Sequence, residues 1–229
     1  MTPFRSTPAG FVARWEPVER EVLARVARDV ADLLRADAGL PDDVTDAEVA
    51  DAGVAFTGVA RVPRDPAVQR LLPDAHREDA DVAAEFRHLT QTDLAAGKVA
   101  RLRAFADTVD AAADDGGAGA ASSDGQVVVA RDTAQEFAGA LTDVRLVLGE
   151  RLGLDDDADI EHLHHEVLTG LGIVDDAEGA DPDETDAAGL DAEQRSYWGG
   201  VFVAAGFAQE SLMDELLAEL RARGRGADE

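Results

Sequence analysis

The chain has 229 residues, no cysteine, and 48 acidic against 21 basic side chains, a formal charge of -27 in which Lys98 is the only lysine. Disulfides, thiol nucleophiles and thiolate metal sites are therefore excluded. A field of this sign repels phosphate backbones and anionic lipid, so direct DNA binding is not expected, and it favours a basic surface on another protein. The chain has no run of about 18 apolar residues and no signal-peptide core, so neither membrane spanning nor export is expected and the location is read as cytoplasmic.

In chain order, Gly10 to Trp15 alternates as a short strand does, and Glu16-Pro17 opens a helix to about Arg35, with Val18, Val22, Val26, Val30 and Leu33 as its stripe, widened by Leu23 and Leu34. Gly39 and Pro41 end it. Residues 42–58 are acidic and ambiguous. Asp65-Pro66 starts a short helix that stops near Pro73, since proline opposes continuation. Asp74 opens another, with Ala75, Asp79 or Val82, Phe86 and Leu89 expected inward. A separate helix is expected from about Gln91 to Ala113, tracked by Leu94, Lys98, Leu102, Phe105 and Val109.

Residues 114–125 read as a mobile acidic, glycine-rich loop. The β-branched run Gln126 to Ala130 reads as a strand that pairs with Phe11 to Trp15, because a lone strand leaves its backbone polar groups unsatisfied. Thr133 and Glu136 have capping-box spacing before a helix carried by Phe137, Leu141, Val144, Leu148 and Leu152. Ile160, Leu163, Val167, Leu168 and Leu171 mark a shorter helix ending at Gly172. Residues 175–189 read as a second mobile acidic loop. Asp191 and Gln194 cap a last helix through Trp198, Val201, Phe202, Ala205, Leu212, Met213, Leu216, Leu217 and Leu220 to Arg221. Gly199, Gly200 and Gly206 each weaken it by about 1 kcal/mol relative to alanine, which close helix packing would offset. The expected fold is mainly α: one helical domain over 1–229, a multi-helix bundle with a two-stranded β element joining about 11–15 to 126–130.

Candidate chemistry is sparse. His162, His164 and His165 sit beside Glu161 and Glu166, but the i,i+4 pairs lie on two different helix faces and do not converge on one ion. Glu85 and His88 form a single Glu-x-x-His, where a di-iron bundle needs two copies and further carboxylates. There is no dinucleotide or phosphate-loop glycine pattern and no nucleophile elbow, so no cofactor, metal or catalytic residue is assigned. Arg221, Arg223 and Arg225 read as an ordinary cationic helix end.

The strings Asp65-Pro66-Ala67, Arg70-Leu71-Leu72-Pro73-Asp74-Ala75, Asp79, Glu85-Phe86-Arg87 and Leu94 to Lys98, then Ala140 to Gly153 and Gln209-Glu210-Ser211-Leu212, span most of the chain. Together they resemble the signature of an actinobacterial family of oxidative-stress transcriptional regulators, encoded near the Clp protease adaptor. The resemblance implies a helical regulator that acts by contact with the transcription machinery, a transcription factor or an RNA polymerase component, and in some members through a thiol redox switch. This chain departs from it by having no cysteine, by His76 in place of tyrosine and by Thr142 in place of asparagine.

Physically, Arg70, Arg87, Asp143, Arg145 and Arg151 are expected to form an inter-helix network of bidentate pairs or a partner-contact surface. Trp198, Phe202, Gln209 and Leu212 on the last helix are candidates for an interface, with a homodimer as one option. The leading expectation is a non-enzymatic regulator working by protein contact. An adaptor in regulated proteolysis and a metal-dependent helical-bundle enzyme are the alternatives.

Overall fold

The computed structural model describes residues 1–40, 61–76, 78–114, 125–170 and 189–226. Within them run β1 (Arg5–Thr7), β2 (Gly10–Arg14), α1 (Pro17–Ala38), α2 (Pro66–Leu71), α3 (Ala80–Asp114), β3 (Gln126–Val129), α4 (Ala134–Arg151), α5 (Asp157–Gly170) and α6 (Ala192–Gly226). The protein is a mainly helical bundle carrying a small antiparallel sheet, as expected. The expected loops at 42–58, 114–125 and 175–189 lie outside the described residues, apart from Asp114, Gly125 and Gly189.

Helix α1 begins where Glu19 accepts from the Glu16 amide at 2.7 Å, with Pro17 in the first turn. It ends at Gly39, whose φ of 67° lets its N–H turn back onto the last carbonyls. Its buried face carries Ala24, Ala27 and Ala31 between Leu23, Val26, Val30 and Leu34. Small side chains let the backbone of α1 approach α3 closely, and these two helices share the most extensive contact in the fold. From α3, Ala95, Leu102, Phe105, Ala106 and Val109 enter the same core.

Among the described residues the sheet has three strands where two were expected. β1, β2 and β3 pair in that order, both pairs antiparallel, with Phe11 opposite Val129, Ala13 opposite Val127 and Arg5 opposite Val12. The period of two buries Phe11, Ala13, Val127 and Val129 while Val128 faces out. β1 has only the polar triplet Arg-Ser-Thr, so no apolar alternation announced it. A Thr7 hydroxyl donating to the Gly10 carbonyl at 2.9 Å closes its turn. At Gly10, φ is 129° and a Cβ would lie 2.3 Å from the Val129 carbonyl oxygen, so only glycine permits this approach of β2 to β3. Phe4, Trp15, Phe105 and Phe137 form a cluster with centroids 4.6 to 6.3 Å apart, pinning the sheet to α3 and α4.

Two local expectations are corrected. The helices expected over 74–89 and 91–113 are a single helix α3, because no proline or glycine interrupts the stretch from Ala80 to Ala96. On its first three turns Ala83 is buried, whereas Val82, Phe86 and Leu89 are exposed rather than inward. Thr133 does not cap α4 through its side chain: it lies in the right-handed region and its hydroxyl donates to Ala130 instead. The Asp191 and Gln194 cap does form, with the Gln194 amide donating to Asp191 at 2.8 Å and the Asp191 amide donating back to the Gln194 side chain.

Gly199 explains how α6 accommodates its glycines. A Cβ there would meet Leu163 Cδ1 at 2.7 Å and Val167 Cγ2 at 3.2 Å, so α5 seats two side chains directly on the α6 backbone. No described helix is long and apolar enough to cross a membrane.

Candidate contact surface

Asp143, on the inner face of α4, is buried and is the meeting point of two α3 cations. Lys98 Nζ donates to one carboxylate oxygen at 2.6 Å, and Arg101 donates to the other through Nε at 2.7 Å and through a terminal nitrogen. The Lys98 and Arg101 side chains are themselves mostly covered. One turn of α3 thus brings both cations to one side, as i,i+3 spacing does. Lys98 stands out in the sequence as the only lysine but not as a partner of Asp143, and Arg101, three residues on along the same helix, does not stand out at all.

The expected network of Arg70, Arg87, Asp143, Arg145 and Arg151 does not assemble as one unit. Arg145 turns away from Asp143: it donates to Gln209 Oε1 at 2.9 Å, lies 5.1 Å from the Phe202 ring centroid and rests against Gly206. Gln209 completes that link by donating to the Thr142 hydroxyl at 2.7 Å, so α4 and α6 are tied by a polar chain over a cation–π contact. Arg70 of α2 pairs with Glu150 and, at 3.0 Å, with Asp155. Arg151 reaches Asp65 at 2.5 Å. Arg87 pairs with Asp74 across the start of α3.

The Arg151 contact has an electrostatic signature. Burial alone would raise the Asp65 carboxyl, but the Arg151 guanidinium and the amides of Ala67 and Val68 hold it below the usual carboxylate range. Glu219, which accepts from Ser6 and from Arg131, is held low in the same way, and it fastens α6 to the sheet.

Of the interface candidates on α6, Phe202 and Leu212 are buried in the chain's own core, Trp198 is half-buried against it, and Gln209 is occupied by Arg145 and Thr142. They are covered chiefly because α4 packs along the face that sequence left open, with Phe202 lying against Gly149 and Arg145. The histidines stay apart: His162 faces Glu166 at 3.3 Å, which Arg195 also engages, and among the described residues no three His, Asp or Glu side chains are grouped to hold a metal. Glu85 and His88 are both exposed on the projecting start of α3.

Besides Val82, Phe86 and Leu89 of α3, exposed apolar side chains line a groove elsewhere. Helices α1 and α6 touch only sparingly, and between them opens a groove of about 650 Å³ lined by Val18, Val22, Val167, Tyr197, Val203 and Phe207. Val18 is 65%, Tyr197 51% and Phe207 41% exposed, whereas the stripe reading of α1 had placed Val18 inward. A second hollow of about 410 Å³ lies where α1 meets α4, lined by Val26, Val30, Leu33, Leu148, Leu190 and Trp198.

These features define a helical-bundle protein with a small capping sheet, a buried ion-pair centre and an apolar inter-helix groove. The chain belongs to the family described as Domain of unknown function (DUF2017), which matches residues 1–216. No curated protein and no solved structure matches it.

Proposed function

We propose that this chain is a non-enzymatic regulatory protein that works by contact with a protein of the transcription machinery. The observation that carries the reading is the groove between α1 and α6, where Val18, Tyr197 and Phe207 gather large apolar surface on a chain of net charge -27. A clustered apolar surface on an otherwise highly charged protein is what a protein-binding site requires. The resemblance of the strings from Asp65 to Lys98 and from Ala140 to Gly153 to oxidative-stress transcriptional regulators supports the choice of partner class. Without cysteine, regulation here runs through contact and not through a thiol switch.

The test is affinity capture from the native organism at graded salt. A transcription factor or RNA polymerase component should be retained at low ionic strength and released at high ionic strength, because the attraction is screened. Recovery of stable homo-oligomers alone at low salt would count against the reading. Retention of a protease or chaperone subunit in place of a transcription component would move it to regulated proteolysis.

A further inference from the structure

We infer that the α1–α6 groove receives an amphipathic helix of a partner protein, apolar at its centre and basic at both ends; the inference rests on the protein-contact reading above and names the surface and the chemistry. On α6, Glu193, Tyr197, Gly200, Ala204, Phe207 and Asp214 recur every three or four residues, with one longer step, and so share one face of the helix. Its middle is apolar and lines the groove, completed across the gap by Val18 and Val22 of α1. Its two ends are acidic. Glu193 and Asp214 are exposed, as is Glu210 at the edge of the face, and none of the three makes an ion pair among the described residues.

At a rise of 1.5 Å per residue the apolar centre extends about 15 Å and the acidic ends stand about 30 Å apart, the length of a helix of about 20 residues. Gly200, with nothing within 4 Å of where its Cβ would stand, leaves the floor of the groove low at its midpoint, so that a side chain of the incoming helix can sit against backbone. Apolar anchors in such a groove are the usual basis of helix recognition.

Charge decides between occupants. A second copy of this chain would bring a net charge of -27 to each side and set acidic ends against acidic ends, a like-charge arrangement that costs association energy. A helix with Lys or Arg at both termini and an apolar stripe between them matches all three parts of the face at once.

A dye-labelled helical peptide of about 20 residues, with a leucine stripe at i,i+3/i+4 spacing and Arg-Lys pairs at both ends, is titrated with the full chain by fluorescence anisotropy. An isomer with Glu in place of the basic residues is the control. The basic-ended peptide should bind at least about tenfold more tightly than the acidic-ended one, and Phe207→Asp or Val18→Asp should each weaken it about tenfold or more, the scale of a central interface residue. Glu193→Gln with Asp214→Asn should weaken it and flatten its salt dependence. Thermal melts of the variants confirm folding, since the substituted positions are exposed.

Equal affinity for the two peptides, or binding indifferent to both groove substitutions, overturns the proposal. So does a photo-crosslinker in place of Tyr197 that joins a second copy or the chain's own residues when the basic-ended peptide is present. If wild type and Phe207→Asp retain a transcription partner equally, the groove is wrong and the contact reading stands. If the peptide results hold but no transcription component is ever retained, the groove stands and that partner class is wrong.

Discussion

A carboxylate with 1% of its side-chain surface in solvent persists at position 143 because Lys98 and Arg101 satisfy both of its oxygens. Removing one member of a buried set strands the others without a counter-charge, which costs more than the set contributes as a whole. Asp143→Ala should therefore destabilise the protein by about 3–5 kcal/mol in urea denaturation, on the scale of a broken buried pair. The two adjacent glycines of α6 give an internal contrast. Gly199→Ala drives a methyl into Leu163 and Val167 and should cost about 1–3 kcal/mol, as overpacking does. Gly200→Ala meets nothing and should gain up to about 1 kcal/mol from helix propensity, while narrowing the groove floor.

Asp65 and Glu219 contribute to the response to acid. Their folded carboxyls lie below their ordinary values, so the stability each adds is complete above the unfolded carboxylate range and is withdrawn as pH falls through the lowered folded value. Denaturation midpoints measured against pH should fall most steeply there. Arg151→Met should flatten that part of the profile by releasing Asp65, and Arg131→Met should do the same for Glu219.

Among the elements, α3 is the one whose two halves behave differently. From Ala95 onward it is buried against α1 and α4, whereas Val82, Phe86 and Leu89 of its first turns are open to solvent. Amides of 84–90 should exchange with deuterium much faster than those of 99–109, since local opening is easiest where few apolar contacts hold a helix. The helices were legible in sequence because apolar periodicity at α1, α4 and α6 reports burial directly. The break expected between Leu89 and Gln91 was not real: helical spacing continued, but Phe86 and Leu89 were credited with burial that only tertiary structure can grant.

The same limit governed the contact surface. Asp143, Arg70, Arg87, Arg145 and Arg151 were recognisable as residues with partners to find, but a guanidinium at the end of a long side chain selects its carboxylate in three dimensions. Thus Asp143 took Lys98 and Arg101, and Arg145 took Gln209. Phe202 and Leu212 looked available because the sequence does not say which face of α6 its neighbours cover. β1 escaped notice since three polar residues carry no period.

For the molecule as a whole, a net charge of -27 imposes self-repulsion that packing must outweigh. Raising NaCl from about 0.01 to 0.3 M shortens the screening length several-fold. The melting temperature should rise over that range, even though surface pairs such as Arg70 with Glu150 and Arg151 with Asp65, and the pair that Arg28 of α1 makes with Asp110 of α3, are weakened at the same time. A fall would mean that those pairs outweigh the repulsion.

The sheet described above also orders events in time. β2 pairs with β3 across more than a hundred residues, Phe11 with Val129, and closing so long a loop is entropically expensive until the intervening helices have shortened it. Contacts between helices nearer in sequence can condense first, leaving the ladder to zip up after the rate-limiting barrier. Gly10→Ala, which disturbs that ladder and the β1–β2 turn beside it, should then accelerate unfolding in a stopped-flow chevron while leaving the refolding limb nearly unmoved.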